Sequence, residues 1–588
     1  MVIYHELKSR YLSQLQTIQR KYDTISFLRL ASILQFLITI FYYIKEQQLV
    51  WLIVGIVALI LFFILMHIHN QLARKKEFVN TLVAINADEI NYLEHKKLLF
   101  ENGSEYNQDH HPYAYDLDIF GNHSLFQNLN RTATYIGKKT LAGQLLQLLP
   151  QQQIIGNQQA VAELATQLEW RQEFTAYAKL RKDDQAVYET LLRWSKRPSA
   201  PLSGGIIMLS FAAPLVFAAV TVGYALTSIP LLLSLSSFLF VFNLVLLGQF
   251  YKRITIEIQQ AENIDKTINQ YSILVKSITT AGFLSEKLKA LQLQLQQSNA
   301  GDHLNELSGL FAKLDSIGNF VTTFLFNGTF LYHIHALKAL IAWKKQHATA
   351  LETWLKVIGE VEMLNSLANF AYNNPDFIYP ELNTNFHISF VNLGHPLLSS
   401  NTRIGNDVSF DRRPFMILTG SNMSGKSTFL RSLGVNMVLA GIGSVVCAER
   451  ADVHPLPVLV SMRLSDSLSD SESYFYAEIK RLKQIMDGLE ERRAFVLLDE
   501  ILRGTNSDDK RSGTIEVVKK MIAKNAIGAI ATHDIEVCLT TDAYPEILTN
   551  KCFEAEIIND DLHFDYKLRD GICKNKSATF LMKKVGVI

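Results

Sequence analysis

Residues 413–431 read Arg413-Pro414-Phe415-Met416-Ile417-Leu418-Thr419-Gly420-Ser421-Asn422-Met423-Ser424-Gly425-Lys426-Ser427-Thr428-Phe429-Leu430-Arg431. The apolar run Phe415 to Leu418 predicts a short buried strand, and the Gly-x-x-x-x-Gly-Lys-Ser after it predicts a loop opening into a helix. That order is the phosphate-cradling P-loop, in which backbone N–H groups and a helix N-terminus face an anionic phosphate chain. Gly420 and Gly425 allow the close turn that a Cβ would block. Lys426 supplies a charge for the β/γ-phosphates, and Ser427 offers a hydroxyl to Mg²⁺. The expected nucleotide contacts are therefore Gly420, Ser421, Asn422, Met423, Ser424, Gly425, Lys426, Ser427 and Thr428, with ATP and Mg²⁺ as cofactors.

Downstream, the apolar run Ala494 to Leu498 ends in Asp499 and Glu500. A strand-end Asp499 suits hydrated Mg²⁺, and Glu500 beside it suits orienting or deprotonating the attacking water. A second apolar run, Ile527 to Ala531, ends in Thr532-His533, which places a histidine to sense the γ-phosphate. Lys426, Glu500 and His533 are the expected catalytic residues, Ser427 and Asp499 the expected metal ligands. The set points to an ATP-binding-cassette type of head rather than a GTPase switch.

The 588 residues allow several domains, each with its own core. With 57 basic against 56 acidic residues, the overall basic excess of a dedicated nucleic-acid binder is absent, though a local basic patch is compatible with these totals. Cys447, Cys538, Cys552 and Cys573 lack metal-ligand spacing and suit a reducing compartment. His110 and His111 are adjacent, point different ways on any regular element and read as part of a solvated loop.

Residues 1–23 place Lys8, Arg10, Arg20 and Lys21 among apolar residues at helical spacing, as in a helix at a membrane surface. Ile25 to Ile44 and Leu49 to Met66 are then apolar runs near the ~20 residues that span a bilayer. A second pair, Gly205 to Leu226 and Ile229 to Phe250, carries no charge at all. Four spans in two hairpins are expected. The basic residues Lys21, Arg74-Lys75-Lys76, Lys196-Arg197 and Lys252-Arg253 flank the hairpins, so the positive-inside rule keeps both termini and the middle segment cytoplasmic. Ile254 to Tyr379 reads as long helices, with Trp343 and Trp354 as core residues.

With these motifs in place, the chain resembles the MutS family of DNA mismatch-repair ATPases. Gly420 to Thr428 is similar to that family's Gly-Pro-Asn-Met-Gly-Gly-Lys-Ser-Thr, Asp499 to Asn506 to its Asp-Glu-Ile-Gly-Arg-Gly-Thr-Ser, and Ala531-Thr532-His533 to its Ala-Thr-His. Asp470 to Glu478 loosely resembles its Ser-x-x-Ser-Thr-Phe-x-x-Glu signature, which implies that Ser473 reaches the γ-phosphate of a neighbouring subunit in a homodimer. Residues 576–587 resemble the segment that pairs the heads. Departures are Glu472 for a basic residue, Glu449 for Gln, and Arg403-Ile404 where an adenine-stacking aromatic is expected before Asn406. A mismatch-reading N-terminal domain with its Phe-x-Glu motif and a C-terminal nuclease extension are not expected.

The resulting expectation is a multidomain chain: an α-helical core and lever region carrying two transmembrane hairpins, followed by an α/β P-loop ATPase of the ABC/MutS type. Its divisions are 1–23, an amphipathic helix; 24–70, the first hairpin; 71–200, a first core and lever segment; 201–250, the second hairpin; 251–380, a second lever segment; and 381–588, the ATPase with its dimerisation segment. The resemblance implies a dimeric Mg²⁺-dependent ATPase that moves helical levers and contacts DNA, mainly its backbone, for mismatch or damage sensing; the hairpins and their basic flanks place it at the cytoplasmic face of the inner membrane. A half ABC transporter and an ATP-gated membrane tether remain alternatives; four spans and the missing Leu-Ser-Gly-Gly-Gln count against the transporter.

Overall fold

A computed structural model describes residues 1–94, 97–108, 110–259, 264–421, 423–463, 474–558 and 561–573. The chain opens with two helices of 45 residues each, α1 (Val2–Glu46) and α2 (Leu49–Leu93), joined at Gln47, whose φ of 52° reverses the chain. No Gly or Pro interrupts α1, so the surface helix expected over residues 1–23 continues unbroken into the apolar segment. At 1.5 Å per residue each helix is ~68 Å long, more than twice the ~30 Å hydrocarbon layer of a bilayer. The inner half of α1 lies on protein: Tyr4, Leu7, Tyr11 and Ile18 are buried with Val79, Leu82 and Ile85 of α2 and with Leu168 and Ala176. In the apolar stretch, Arg29 is not left to solvent. Its guanidinium lies 3.4 Å from His69 Nδ1, while His69 Nε2 meets Ser26 Oγ at 2.9 Å.

The second apolar pair is α3 (Gly204–Thr227) and α4 (Pro230–Gln259), and α3 continues past Pro214 without a break. These four helices are long and apolar enough to cross a membrane. Short helices including Tyr135–Gln144 and Gln151–Thr166 pack on the long α5 (Tyr332–Asn373), which buries Trp343 and Trp354. Thr134 caps Tyr135–Gln144, its Oγ1 accepting from Gly137 N at 3.0 Å. Beneath that cap Glu362 of α5 is buried; it accepts from the backbone N–H groups of Ala133 (2.8 Å) and Thr134 (3.2 Å) and from the Thr134 hydroxyl. Desolvation lifts its carboxyl to about 7. His111, expected in a solvated loop, is instead held at 3.0 Å from Leu146 O and edge-on to Tyr113, because the loop is clamped between helices and head.

The C-terminal region is mixed α/β. A four-stranded sheet of β1 (Glu381–Leu382), β2 (Ile388–Leu393), β3 (Asn406–Ser409) and β5 (Arg450–Val453) has the order β1-β5-β2-β3. Beside it a six-stranded sheet has the order β10-β9-β4-β8-β7-β6, built from β4 (Phe415–Gly420), β6 (Val458–Ser461), β7 (Phe495–Asp499), β8 (Ile527–Ala531), β9 (Leu548–Ile558) and β10 (Asp561–Asp570). All its pairings are parallel except β9 with β10. Every residue of β4, β7 and β8 is buried, as near-continuous apolar runs in a parallel sheet require. The helical body grips this region through residues 112–118. Asp116 accepts from Met462 N (2.7 Å), Arg463 N (2.8 Å) and the Arg481 guanidinium (3.0 Å), and Asp118 pairs with Arg463.

Candidate nucleotide-binding site

Strand register decides where the site forms. Leu418 of β4 and Asp499 of β7 both sit opposite Ala531 of β8, so the loops carrying Ser421, Ser424 and Gly425, Glu500 and His533 leave the sheet side by side at its carboxyl edge. In open α/β sheets that edge is where ligands bind. Helix α6 (Lys426–Gly441) starts at the loop. Gly425 has a φ of +100°, and a Cβ there would lie 3.0 Å from the Tyr566 ring; a Cβ on Gly420 would come within 2.6 Å of Ser424 Oγ and 2.9 Å of Phe553 O. Both glycines are thus demanded by the folded backbone as well as by any phosphate.

Lys426 is buried and donates to Gly420 O (2.8 Å) and Ser421 O (3.1 Å), with His533 Nε2 at 3.4 Å. Desolvation lowers its pKa, opposed by Glu500 and Asp499. Ser427 Oγ donates to Asp499 Oδ2 at 2.5 Å, while Asp499 Oδ1 and the Ser421 and Ser424 hydroxyls are buried without a partner. Burial raises the Asp499 pKa. Orphaned polar atoms of this kind call for a ligand. An unpartnered carboxylate oxygen beside a serine hydroxyl fits Mg²⁺, which takes one or two protein oxygens and completes its shell with phosphate and water. Among the described residues no cluster of three or more His, Cys, Asp or Glu offers a metal an all-protein cage.

Glu500 follows at a φ of 48°. Its Oε1 lies 2.6 Å from His533 Nε2 and its Oε2 3.6 Å from Arg503 Nε. The His533 hydrogen bond is the main reason its carboxyl drops to about 2. Arg503, absent from the sequence expectation as a site residue, also holds the loop by donating to Glu500 O (2.9 Å) and Asp499 O (3.3 Å). Glu478, on α7 (Tyr474–Glu491), accepts from Leu502 N at 2.6 Å and Arg503 N at 3.1 Å, tying that helix to the same loop.

A cavity of about 530 Å³ lies against Lys426, Ser427, Thr428 and Glu500 and is also walled by Phe553 and Tyr566. Tyr566 comes from the β9–β10 hairpin at an irregularity in the pairing, with φ 54°. Asn406 locks it there: its Nδ2 donates to Tyr566 O (3.0 Å) and its Oδ1 accepts from Leu568 N (2.8 Å). Met423 is exposed on the loop. The expected contacts Asn422 and Ser473, and the pairing segment 576–587, lie outside the described residues.

Residues 416–587 match the family model for MutS domain V. Over this C-terminal region the chain is similar to MutS proteins. Over 228 residues it is 30% identical to the DNA mismatch repair protein MutS of Thermotoga neapolitana, covering 38% of this chain and 28% of that one. It is 28% identical over 235 residues to human MutS protein homolog 4, covering 38% and 25%, and 28% identical over 258 residues to MutS of Flavobacterium psychrophilum, covering 42% and 29%. The match therefore spans between a quarter and a third of these relatives' length.

Two departures from the MutS motifs acquire a place in the structure. Leu502 stands where the MutS motif has Gly, and it adopts a left-handed φ of 59° with its side chain buried. Glu449 is exposed and does not line the cavity; its N–H is bound by Val391 O at 2.9 Å.

Proposed function

We propose that this chain is a membrane-anchored, Mg²⁺-dependent ATPase that works as a homodimer of MutS-type heads and transmits nucleotide-driven movement through its helices to a DNA contact. The observation that carries this reading is the convergence of Lys426, Ser427 and Glu500 on one cavity, with His533 bound to Glu500 behind it and Asp499 bound to Ser427, its Oδ1 left unpartnered. Mg²⁺, held by Ser427 and Asp499, would neutralise phosphate charge. Lys426 would release its two carbonyl partners to meet phosphate oxygens. Tyr566, on the wall of the same cavity, supplies the ring for the base that the segment before Asn406 lacks.

Glu500 is ionised throughout the physiological range, and with a pKa of about 2 it is too weak a base to take a proton while His533 holds it. Its role in this arrangement is to fix a water, and loss of the His533 contact would raise its basicity. A second subunit would supply Ser473 and bring the heads together.

Membrane anchoring is supported by the four apolar helices and by basic flanks that keep the head on the cytoplasmic side of the inner membrane. The proposed division keeps 381–588 as the ATPase, 71–200 and 251–380 as core and lever, and 24–70 and 201–250 as the hairpins. DNA contact rests on the names of the relatives, DNA mismatch repair proteins, and is proposed as backbone binding. Purified protein should hydrolyse ATP with Mg²⁺; Lys426→Ala should not bind nucleotide, and Glu500→Gln should bind it and accumulate as an ATP-bound dimer. Normal turnover in Glu500→Gln would remove the assigned role. Absence of binding to homoduplex and mismatched DNA at low salt would remove the DNA contact and leave an ATP-gated membrane tether.

A further inference from the structure

Between the helix Ala300–Asp315 and α5, the chain does something its helical pattern does not announce. From Ser316 to Leu337 there is no Asp, Glu, Lys or Arg, yet the segment is no spanning helix. It breaks into a 3₁₀ turn (Ser316–Gly318), a π-helical turn (Thr322–Phe326) and one α turn (Asn327–Phe330), then reverses at Leu331 with φ 50°. Its side chains face outward: Phe320 is 77%, Val321 62% and Phe330 61% exposed, with Phe324 and Leu325 nearly half exposed. A contiguous apolar patch of this kind is rare on a surface that meets water.

The patch is continuous with the second apolar hairpin. Phe324 packs edge-to-face on Phe240 of α4, with centroids 5.0 Å apart, and Phe240 lies 6.2 Å from Phe217 of α3. Asn243 of α4, wholly buried, donates to Gly328 O at 2.8 Å. Asn243 stands nine residues before Lys252, the first charge on α4, so this contact is ~13 Å along the helix into its uncharged stretch. On the return, His335 meets Ser210 O of α3 at 3.0 Å, and Lys338, where charge resumes, sits over the Phe211 ring.

The broken backbone also carries internal partners. Thr323 Oγ1 donates to Ile317 O (2.6 Å), Asn319 Oδ1 accepts from Thr322 N (3.2 Å), Asn327 Oδ1 accepts from His333 N (3.0 Å), and Asn327 Nδ2 donates to Thr323 O (2.9 Å). Non-helical backbone at membrane depth persists only where neighbouring groups satisfy it in this way.

We propose that residues 319–331 form a re-entrant element whose exposed face meets lipid acyl chains beside α3 and α4, entering and leaving on the side of Lys252. This rests on α3 and α4 spanning a membrane, and it adds a fifth inserted element that does not cross. The lever helix α5 would then start inside the bilayer, so movement of the head would be felt by lipid as well as by protein.

The test uses the full chain in lipid nanodiscs, spin-labelled at Val321→Cys and, independently, Phe330→Cys. Three of the four native cysteines are buried, and wild-type protein labelled in parallel supplies the background to subtract. Val241→Cys on the exposed face of α4 and Ile155→Cys on the helical body are the lipid and water references. Circular dichroism matching wild type qualifies each variant. Collision with oxygen should exceed collision with a water-soluble nickel chelate at 321 and 330, as at 241. A chelate-dominated signal at 321 and 330 with an oxygen-dominated one at 241 overturns the re-entrant element while leaving the spans intact. Exclusion of both reagents at 321 and 330 overturns it in favour of a covering protein surface, such as a second copy. Chelate access at 241 removes the spans, and the proposal with them.

Discussion

Replacing Glu362 by Gln should make the junction between α5 and the helix Tyr135–Gln144 more stable at pH 8 and leave it little changed at pH 5. The carboxyl is buried and its pKa is lifted from 4.5 to about 7 by desolvation. Between those values the folded chain keeps a proton that the unfolded chain has released. Stability is therefore full below about 4.5 and is lost as pH rises through 7, the reverse of a salt-bridged carboxylate. A shift of ~2.5 units corresponds to roughly 3 kcal/mol, or on the order of a hundredfold in a local opening equilibrium. The substituted amide carries no such charge; its oxygen can still accept from the Ala133 and Thr134 N–H groups while its NH₂ meets Thr134 Oγ1. Hydrogen–deuterium exchange of peptides covering 131–145, compared between wild type and Glu362→Gln at one pH at a time, cancels the intrinsic pH dependence of exchange. The variant should exchange far more slowly at pH 8, with near coincidence at pH 5. Equal differences at both pH values, or a better-protected wild type at pH 8, would refute the assignment.

Tyr566→Ala should weaken ATP binding by about fivefold, the ~1 kcal/mol of one ring contact, while Tyr566→Phe binds like wild type; fluorescent-nucleotide titration separates them. Glu478→Ala leaves the Leu502 and Arg503 N–H groups without their acceptor and should cost ~2–4 kcal/mol in the loop that carries Glu500, lowering turnover more than nucleotide affinity. Glu478→Gln should recover some of that loss, because its amide oxygen can still accept. Asp499→Asn should raise the Mg²⁺ concentration needed for half-maximal hydrolysis with little effect on metal-free nucleotide binding, measured by titrating Mg²⁺ in both assays.

Local pattern was enough for much of the head. A fully buried parallel strand must be apolar along its whole length, so Phe415–Leu418, Phe495–Leu498 and Ile527–Ala531 are legible as runs, and the polar residues that end them are legible as candidates for one sheet edge. The four apolar helices are legible for a related reason, because length and lack of charge are properties of a single segment. The resemblance to MutS was carried by the same short motifs.

What the chain's order could not supply is proximity between distant segments. Tyr566 lies 141 residues beyond Gly425 and reaches the cavity only because β9 pairs with β4 and Asn406 pins the hairpin. Glu478 and Arg503 act on the Glu500 loop through hydrogen bonds no spacing reports, and the hold of His533 on Glu500 is a fact of geometry alone. The same holds for Ser316–Leu337, where helical spacing hides a broken segment whose partners come from α4. The sequence by itself determined the strands, the apolar helices and the glycine-rich loop that opens α6, since each depends on neighbours within a few residues. Only the tertiary structure decided which side chains share a cavity, which carboxyl is held near 2 and which near 7, and which apolar surface is left uncovered, since each depends on desolvation and contact between elements far apart in the chain.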